Sequence, residues 1–142
     1  MDDTKLIQHA IEARERAYAP YSHFAVGAAL LCADGTVYQG CNIENAAYGP
    51  SNCAERTAFF RALYDGERDF EAIAIVGGTL GHPISELCSP CGTCRQIMME
   101  FCDPAAFRIV MAVRADTPVS YTLEELLPLG FGPGNLANDS SR

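Results

Sequence analysis

The sequence has no cluster of basic residues, no apolar segment long enough to cross a membrane, and no basic-then-apolar run at its start. Each absence removes a class of function. Nucleic-acid binding needs Lys and Arg gathered against phosphates, and here 10 basic side chains are scattered among 18 acidic ones for a net charge of −8. A bilayer span needs about 20 consecutive apolar residues, so no membrane role is expected. Met1-Asp2-Asp3-Thr4-Lys5 lacks the pattern of a secretory leader, which points to the cytoplasm. No histidine is placed with a Ser or Cys so as to suggest a hydrolase triad. No repeat, linker or low-complexity segment divides the chain, so a single domain over 1–142 is expected, with a short polar tail from about 137. At 142 residues, 49% of them apolar, that domain can bury an ordinary core.

Cysteine is not scarce: there are 7, an odd number. In a reducing compartment, cysteines at ligand spacing serve metal or catalysis more often than disulfides. Cys91 and Cys94, in Ser89-Pro90-Cys91-Gly92-Thr93-Cys94-Arg95-Gln96, stand three apart, on one face of a helix's first turn. Pro90 suits the entry to that helix. Cys53, in Ser51-Asn52-Cys53-Ala54-Glu55-Arg56, opens a second helix with an acid two residues later. Helix N-termini carry unpartnered N–H groups and favour thiolates, the form that binds metal. Cys32, Cys41, Cys88 and Cys102 fit no ligand spacing as well and read as small buried hydrophobes.

The rest of the chain supplies a frame for these clusters. Lys5 to Tyr18 has helical spacing of apolar residues, with Thr4 as its cap and Pro20 as its stop. Phe24 to Cys32 reads as a strand buried on both faces, and Asp34-Gly35 as the turn of a hairpin that returns over Val37 to Cys41. Gly27 inside that strand implies close approach by a ligand or another backbone. Cys53 to Tyr64 is helical, and Ala72 to Val76 is a strand stopped by Gly77-Gly78. After the helix beginning near Cys91 come a strand over Phe107 to Val113 and a short one over Val119 to Tyr121. A capping-box turn then joins Thr122 to Glu125. This order predicts an α/β fold: a three-layer α/β/α sandwich around one mixed sheet of about five strands. Both cysteine clusters fall at strand-to-helix junctions, where such sheets hold ligands.

Three thiolates from Cys53, Cys91 and Cys94 around one zinc ion would leave a position for water, which zinc makes nucleophilic near neutral pH. Their combined charge works against this, and Arg56 is the cation placed to offset it. Glu55, not itself a ligand, could then carry protons. Other readings of the same residues stay open. Cys-Gly-Thr-Cys at a helix start also suits a redox pair, although Pro90 stands where a thioredoxin-type motif has an aromatic residue. A closed structural zinc site would take Cys88 or His82 as fourth ligand. The cysteines could also be plain core residues.

Taken together, Cys53-Ala54-Glu55-Arg56 and Ser89-Pro90-Cys91-Gly92-Thr93-Cys94-Arg95-Gln96 resemble the paired zinc signature of the cytidine deaminases. Tyr21 to Leu30, Gly40 to Tyr48, Leu126-Leu127-Pro128 and Phe131-Gly132-Pro133 agree, so the resemblance runs from about Leu6 to Leu136. It implies one zinc per chain on Cys53, Cys91 and Cys94, with Glu55 catalytic and Arg56 tuning the zinc charge. It implies that Asn42 and Glu44 bind ribose hydroxyls, that Phe24 stacks on the pyrimidine and that Ala54 offers backbone groups to the base. Tyr48 would line the same pocket, and Phe131 would reach the active site of a neighbouring subunit. Small three-cysteine members of the family are homotetramers, so a homotetramer with shared sites is implied. Cys53 takes the place that histidine holds in larger dimeric members and in nucleic-acid deaminases. The implied activity is hydrolytic deamination of cytidine and deoxycytidine in pyrimidine salvage. An antibiotic-directed relative, blasticidin-S deaminase, shares the zinc motifs, but Asn42-Ile43-Glu44-Asn45 and Phe131 favour cytidine.

Overall fold

A computed structural model of the chain describes residues 1–136; the polar tail expected from about 137 lies outside the described residues. Strand β1 (Phe24–Cys32) turns through Asp34-Gly35 into β2 (Val37–Cys41), as the Asp-Gly pair predicts. Strands β3 (Phe70–Thr79), β4 (Arg108–Ala112) and β5 (Pro118–Thr122) complete a five-stranded sheet in the order β2-β1-β3-β4-β5. Among these five strands only β3 and β4 pair in parallel, across the crossover formed by helix α3 (Gly92–Phe101). The β1–β2, β1–β3 and β4–β5 pairs are antiparallel, which makes the sheet mixed.

Alternation along the strands feeds two separate cores. Ala28 and Leu30 of β1, Ile73 and Ile75 of β3, and Ile109 and Met111 of β4 face helix α2 (Ala54–Tyr64) and α3. Ala29 and Leu31, Ala72, Ala74 and Val76, and Val110 and Ala112 face helix α1 (Asp3–Arg14), which contributes Leu6, Ile7 and Ala10. This is the three-layer sandwich expected. Each fully buried Leu or Ile contributes about 1.5–3 kcal/mol from lost water contact. The α1 side of the sheet is rich in alanine, so that helix lies close. A Cβ on Gly27 would sit 2.0 Å from the Ala10 carbonyl oxygen and 2.5 Å from the Arg14 nitrogen. The close approach at Gly27 is therefore another backbone.

Several boundaries differ from those read in the sequence: the start of α1 is set by a local cap, while its end and the continuation of β3 are set by tertiary partners. The cap of α1 is Asp2, which accepts from the Lys5 N–H at 2.8 Å, and Thr4 falls inside the first turn. The helix ends at Arg14 rather than running to Tyr18. Beyond it, the Tyr18 N–H donates to the Asn42 carbonyl and the Tyr18 carbonyl accepts from the Glu44 N–H, both at 2.9 Å. Strand β3 continues through Gly77 and Gly78, which pair with Val26 and Ala25, so ladder hydrogen bonds outweigh glycine's poor strand preference. Of the cysteines expected in the core, Cys32 is fully buried, whereas Cys41, Cys88 and Cys102 are only partly so. Helix α4 (Leu123–Leu126) carries the expected capping box, with reciprocal bonds between Thr122 and Glu125. Helix α5 (Pro133–Leu136) closes the described chain. Among the described residues no helix is long and apolar enough to cross a membrane.

A candidate metal centre at two helix N-termini

Cys53 is the N-cap of α2 and Cys91 the N-cap of α3, and neither side chain caps its own helix. Both sulfurs are thus free to turn toward each other, with Cys94 one turn into α3. The Cys53 and Cys91 sulfurs lie 3.8 Å apart, and those of Cys91 and Cys94 3.5 Å apart. Zinc–sulfur bonds of about 2.3 Å in a tetrahedron place sulfurs about 3.8 Å apart, close to both separations, and all three sulfurs lie within 4.8 Å of one another. Neither Cys88 nor His82 joins this group among the described residues, so the expected alternative of a closed four-ligand site finds no fourth donor. The donor set matches an open, three-thiolate centre.

The surroundings hold negative charge on these sulfurs. The Cys53 thiol is pulled well below the ordinary thiol range, first by a hydrogen bond from Cys94 and then by Arg56, whose Nη2 lies 3.3 Å from the Cys53 sulfur. Cys94 is pushed up by the same hydrogen bond and by burial. The Nε of Arg56 is buried without a partner among the described residues, a donor left over beside the sulfur cluster.

Glu55 sits in the first turn of α2 and is 5% exposed. Burial raises its carboxyl to about 7, against smaller lowering contributions from its own backbone N–H, Cys94 and Arg56. A carboxyl near neutrality can both accept and return a proton, which is what a general acid–base group needs.

A cleft of about 320 Å³ opens beside the sulfurs. Cys53, Cys91, Ala54 and Glu55 form one end of its lining; Ser22, Asn42 and Glu44 also line it, as does Phe24. The Asn42 side chain is partly committed: its oxygen accepts from the Val26 N–H at 2.9 Å, and its nitrogen donates to the Phe24 carbonyl at 2.8 Å. Glu44 accepts from the backbone N–H groups of Tyr21 and Ser22 and from the Ser22 hydroxyl. These bonds, the Ser22 hydroxyl first, hold its carboxyl below the usual range. Seven residues singled out in the sequence are thus brought to one cleft besides Cys94, buried behind it, and Arg56 at its sulfur end.

Two residues singled out in the sequence lie elsewhere on the chain. Tyr48, 71% exposed with φ of 60°, packs edge-on against Tyr21 at 6.0 Å and lines a neighbouring depression with Ser22, Glu44 and Ser51. Phe131 is 57% exposed, and its carbonyl accepts from the Gln96 side chain of α3 at 2.8 Å. Ser22, Val26, Cys88 and Ser89 also line the cleft, although the sequence assigned none of them a part in substrate binding. Their placement depends on β1 and the segment before α3 meeting in space.

The comparisons with known proteins agree with this geometry. The family signature described as "Cytidine and deoxycytidylate deaminase zinc-binding region" matches residues 1–111. A cytidine deaminase of Sporosarcina psychrophila is 50% identical over 137 residues, covering 96% of this chain and 96% of the relative. One from Halalkalibacterium halodurans is 51% identical over 131 residues, covering 92% of this chain and 95% of that one. The crystal structure of the Burkholderia pseudomallei cytidine deaminase superposes with a TM-score of 0.82 at 48% identity, covering 92% of this chain and all of that one (100%). Sequence, sheet order and the three-sulfur centre converge, and the chain belongs to the cytidine and deoxycytidylate deaminase family.

Proposed function

We propose that this protein hydrolyses the exocyclic C–N bond of cytidine and deoxycytidine, releasing ammonia and leaving uridine or deoxyuridine. The observation that carries this reading is the buried Glu55 carboxyl beside three sulfurs, at the end of a nucleoside-sized cleft. Cys53, Cys91 and Cys94 would hold one zinc ion, which when bound would supply Lewis-acid activation of a water at neutral pH. Glu55 accepts a proton from that water and delivers it to N3 of the base. It then serves the amino group, which departs as ammonia when the bond to carbon 4 breaks. Arg56, 3.3 Å from the Cys53 sulfur, offsets the charge of the thiolates.

At the other end of the cleft, Glu44 takes a sugar hydroxyl, and the amide hydrogen that Asn42 has free of β1 takes another. Phe24 packs on the pyrimidine ring, and the unpartnered N–H groups at the start of α2, beginning with Ala54, face the base. The enzyme serves pyrimidine salvage in the cytoplasm and takes no nucleic acid or membrane partner. It works as a homotetramer in which Phe131 completes a neighbouring subunit's site, while Tyr48 lines the depression next to the cleft. That assembly is supported by the exposure of Phe131, Leu129 and Leu136, which a lone chain leaves in water.

Ammonia release from cytidine, with zinc per chain measured on the same sample, tests the reading. Turnover with about one zinc per chain is expected. Zinc without turnover would overturn it.

A further inference from the structure

Besides Glu55, the one charged side chain buried among the described residues is Arg14, 6% exposed at the end of α1. Its Nε and Nη2 donate to the carbonyls of Ala25 and Thr79. Those bonds fasten α1 to the sheet but leave the charge uncompensated. The ion pairs among the described residues join Arg108 to Asp3 and Arg114 to Asp116, and neither involves Arg14. A buried charge is costly without a counter-charge, so a guanidinium kept in this way calls for one. Nη1 makes no hydrogen bond among the described residues, yet it is not sealed in. The one sealed and unpartnered side-chain nitrogen or oxygen among them is Arg56 Nε. Arg14 therefore keeps donors open.

Arg14 lines a pocket of about 580 Å³ on the α1 face of the sheet, outside the carboxyl ends of β3 and β4. Leu80 to Ile84, which follow β3, form one wall, and Arg114 and Ala115, which follow β4, form another. Ligands of α/β sheets gather outside such strand ends. The sulfur cleft draws Ser89 and Cys91 from the same β3–α3 connection, but the two openings share no lining residue. Arg14, Arg114 and His82 face a single acid in the pocket, Glu15. Asp116 holds Arg114 only loosely, at 3.8 Å, with the two side chains 72% and 74% exposed. Two guanidiniums against one carboxylate make the pocket locally positive on a chain whose net charge is −8. Ile11, Leu80, Pro83 and Ile84 add apolar surface beside these donors.

We propose that this pocket is a second ligand site, which binds a small phosphate monoester. Arg14 anchors the phosphate, because a guanidinium fork matches two phosphate oxygens at once. Arg114 and His82 supply further donors, and the apolar residues cover the body of the ester. The proposal stands apart from the reading of the sulfur cleft.

Calorimetry on the zinc-loaded protein at matched ionic strength tests it, with inorganic phosphate and phenyl phosphate as probes. Phenyl phosphate is expected to bind with a Kd of about 1 mM or below, and about tenfold tighter than inorganic phosphate, because only the ester reaches the apolar surface. Arg114→Gln is expected to weaken binding about threefold or more, and Glu15→Gln to tighten it by about the same factor, with zinc content and denaturant midpoint held. Opposite signs from two exposed positions separate a charged ligand site from a structural role. Arg14→Gln is expected to abolish binding, with its denaturant midpoint measured alongside because the same side chain fastens α1. Absence of heat with both probes would overturn the proposal, as would an affinity unchanged in Arg114→Gln or not raised in Glu15→Gln.

Discussion

Glu55 is an acid in a place where water is nearly excluded, and its neighbours explain why it is kept there. Burial costs the charged form, so the proton stays available until about pH 7, and the carboxyl can work in both directions during turnover. Glu55→Gln keeps shape and hydrogen-bonding capacity but cannot carry a proton. It is expected to retain zinc and the circular-dichroism spectrum while losing about 10²–10⁴-fold in kcat. Full activity would remove Glu55 from the chemistry. Cys32 shows the same physics away from the sulfur cluster. It is buried, and desolvation, helped by Glu67 and Asp34, raises its thiol from 9.0 to about 12. The unfolded chain loses this proton near pH 9 while the folded chain keeps it, so the unfolded state binds fewer protons above that pH. Stability is then expected to fall by up to about 1.4 kcal/mol per pH unit between 9 and 12. Urea denaturation across that range measures the slope, and Cys32→Ala should flatten it relative to the native chain.

At the scale of elements, two helix N-termini and one strand do most of the positioning. α2 and α3 present Cys53 and Cys91 as N-caps, so the helix ends that lack internal partners point at the charge they favour. On the opposite face, α1 lies against Gly27 with no room for a methyl group. Arg14, 6% exposed at the end of α1, fastens that contact: its Nε donates to the Ala25 carbonyl at 2.9 Å and its Nη2 to the Thr79 carbonyl at 2.8 Å. Gly27→Ala would press a methyl into the helix backbone and is expected to destabilise the fold by about 1–3 kcal/mol or more. Denaturant midpoints measure this directly. A neutral result would mean that α1 can shift outward at no cost.

The whole molecule leaves apolar side chains outside. Phe131 and Leu136 lie near the end of the described chain, and Leu129 is fully exposed with a φ of 55°, a strained value for a leucine. A surface of that kind is ordinarily covered by a partner. Phe131→Ala is expected to reduce activity about tenfold or more while zinc content and the stability of the single chain hold. Sedimentation of the same variant reports whether assembly depends on the ring. An unaffected rate would end the proposal that Phe131 completes a neighbouring site.

Local chemistry could be read directly from the chain. The Cys53 and Cys91–Cys94 spacings, the acid beside them, the Asp34-Gly35 turn and the Thr122–Glu125 cap are contacts between residues near in sequence, or motifs whose chemistry demands those residue types. Contacts between distant segments could not be read that way. The sheet order, the continuation of β3 through Gly77-Gly78 and the early end of α1 follow from pairings with partners far along the chain. The engagement of Asn42 with β1 and the arrival of Cys88 beside Phe24 have the same origin. The sequence by itself determined which groups are candidates to bind metal and move protons, because that candidacy depends on residue type and on local motifs. Only the tertiary structure decided the shape of the cleft around them, because its walls come from segments that meet when the core closes.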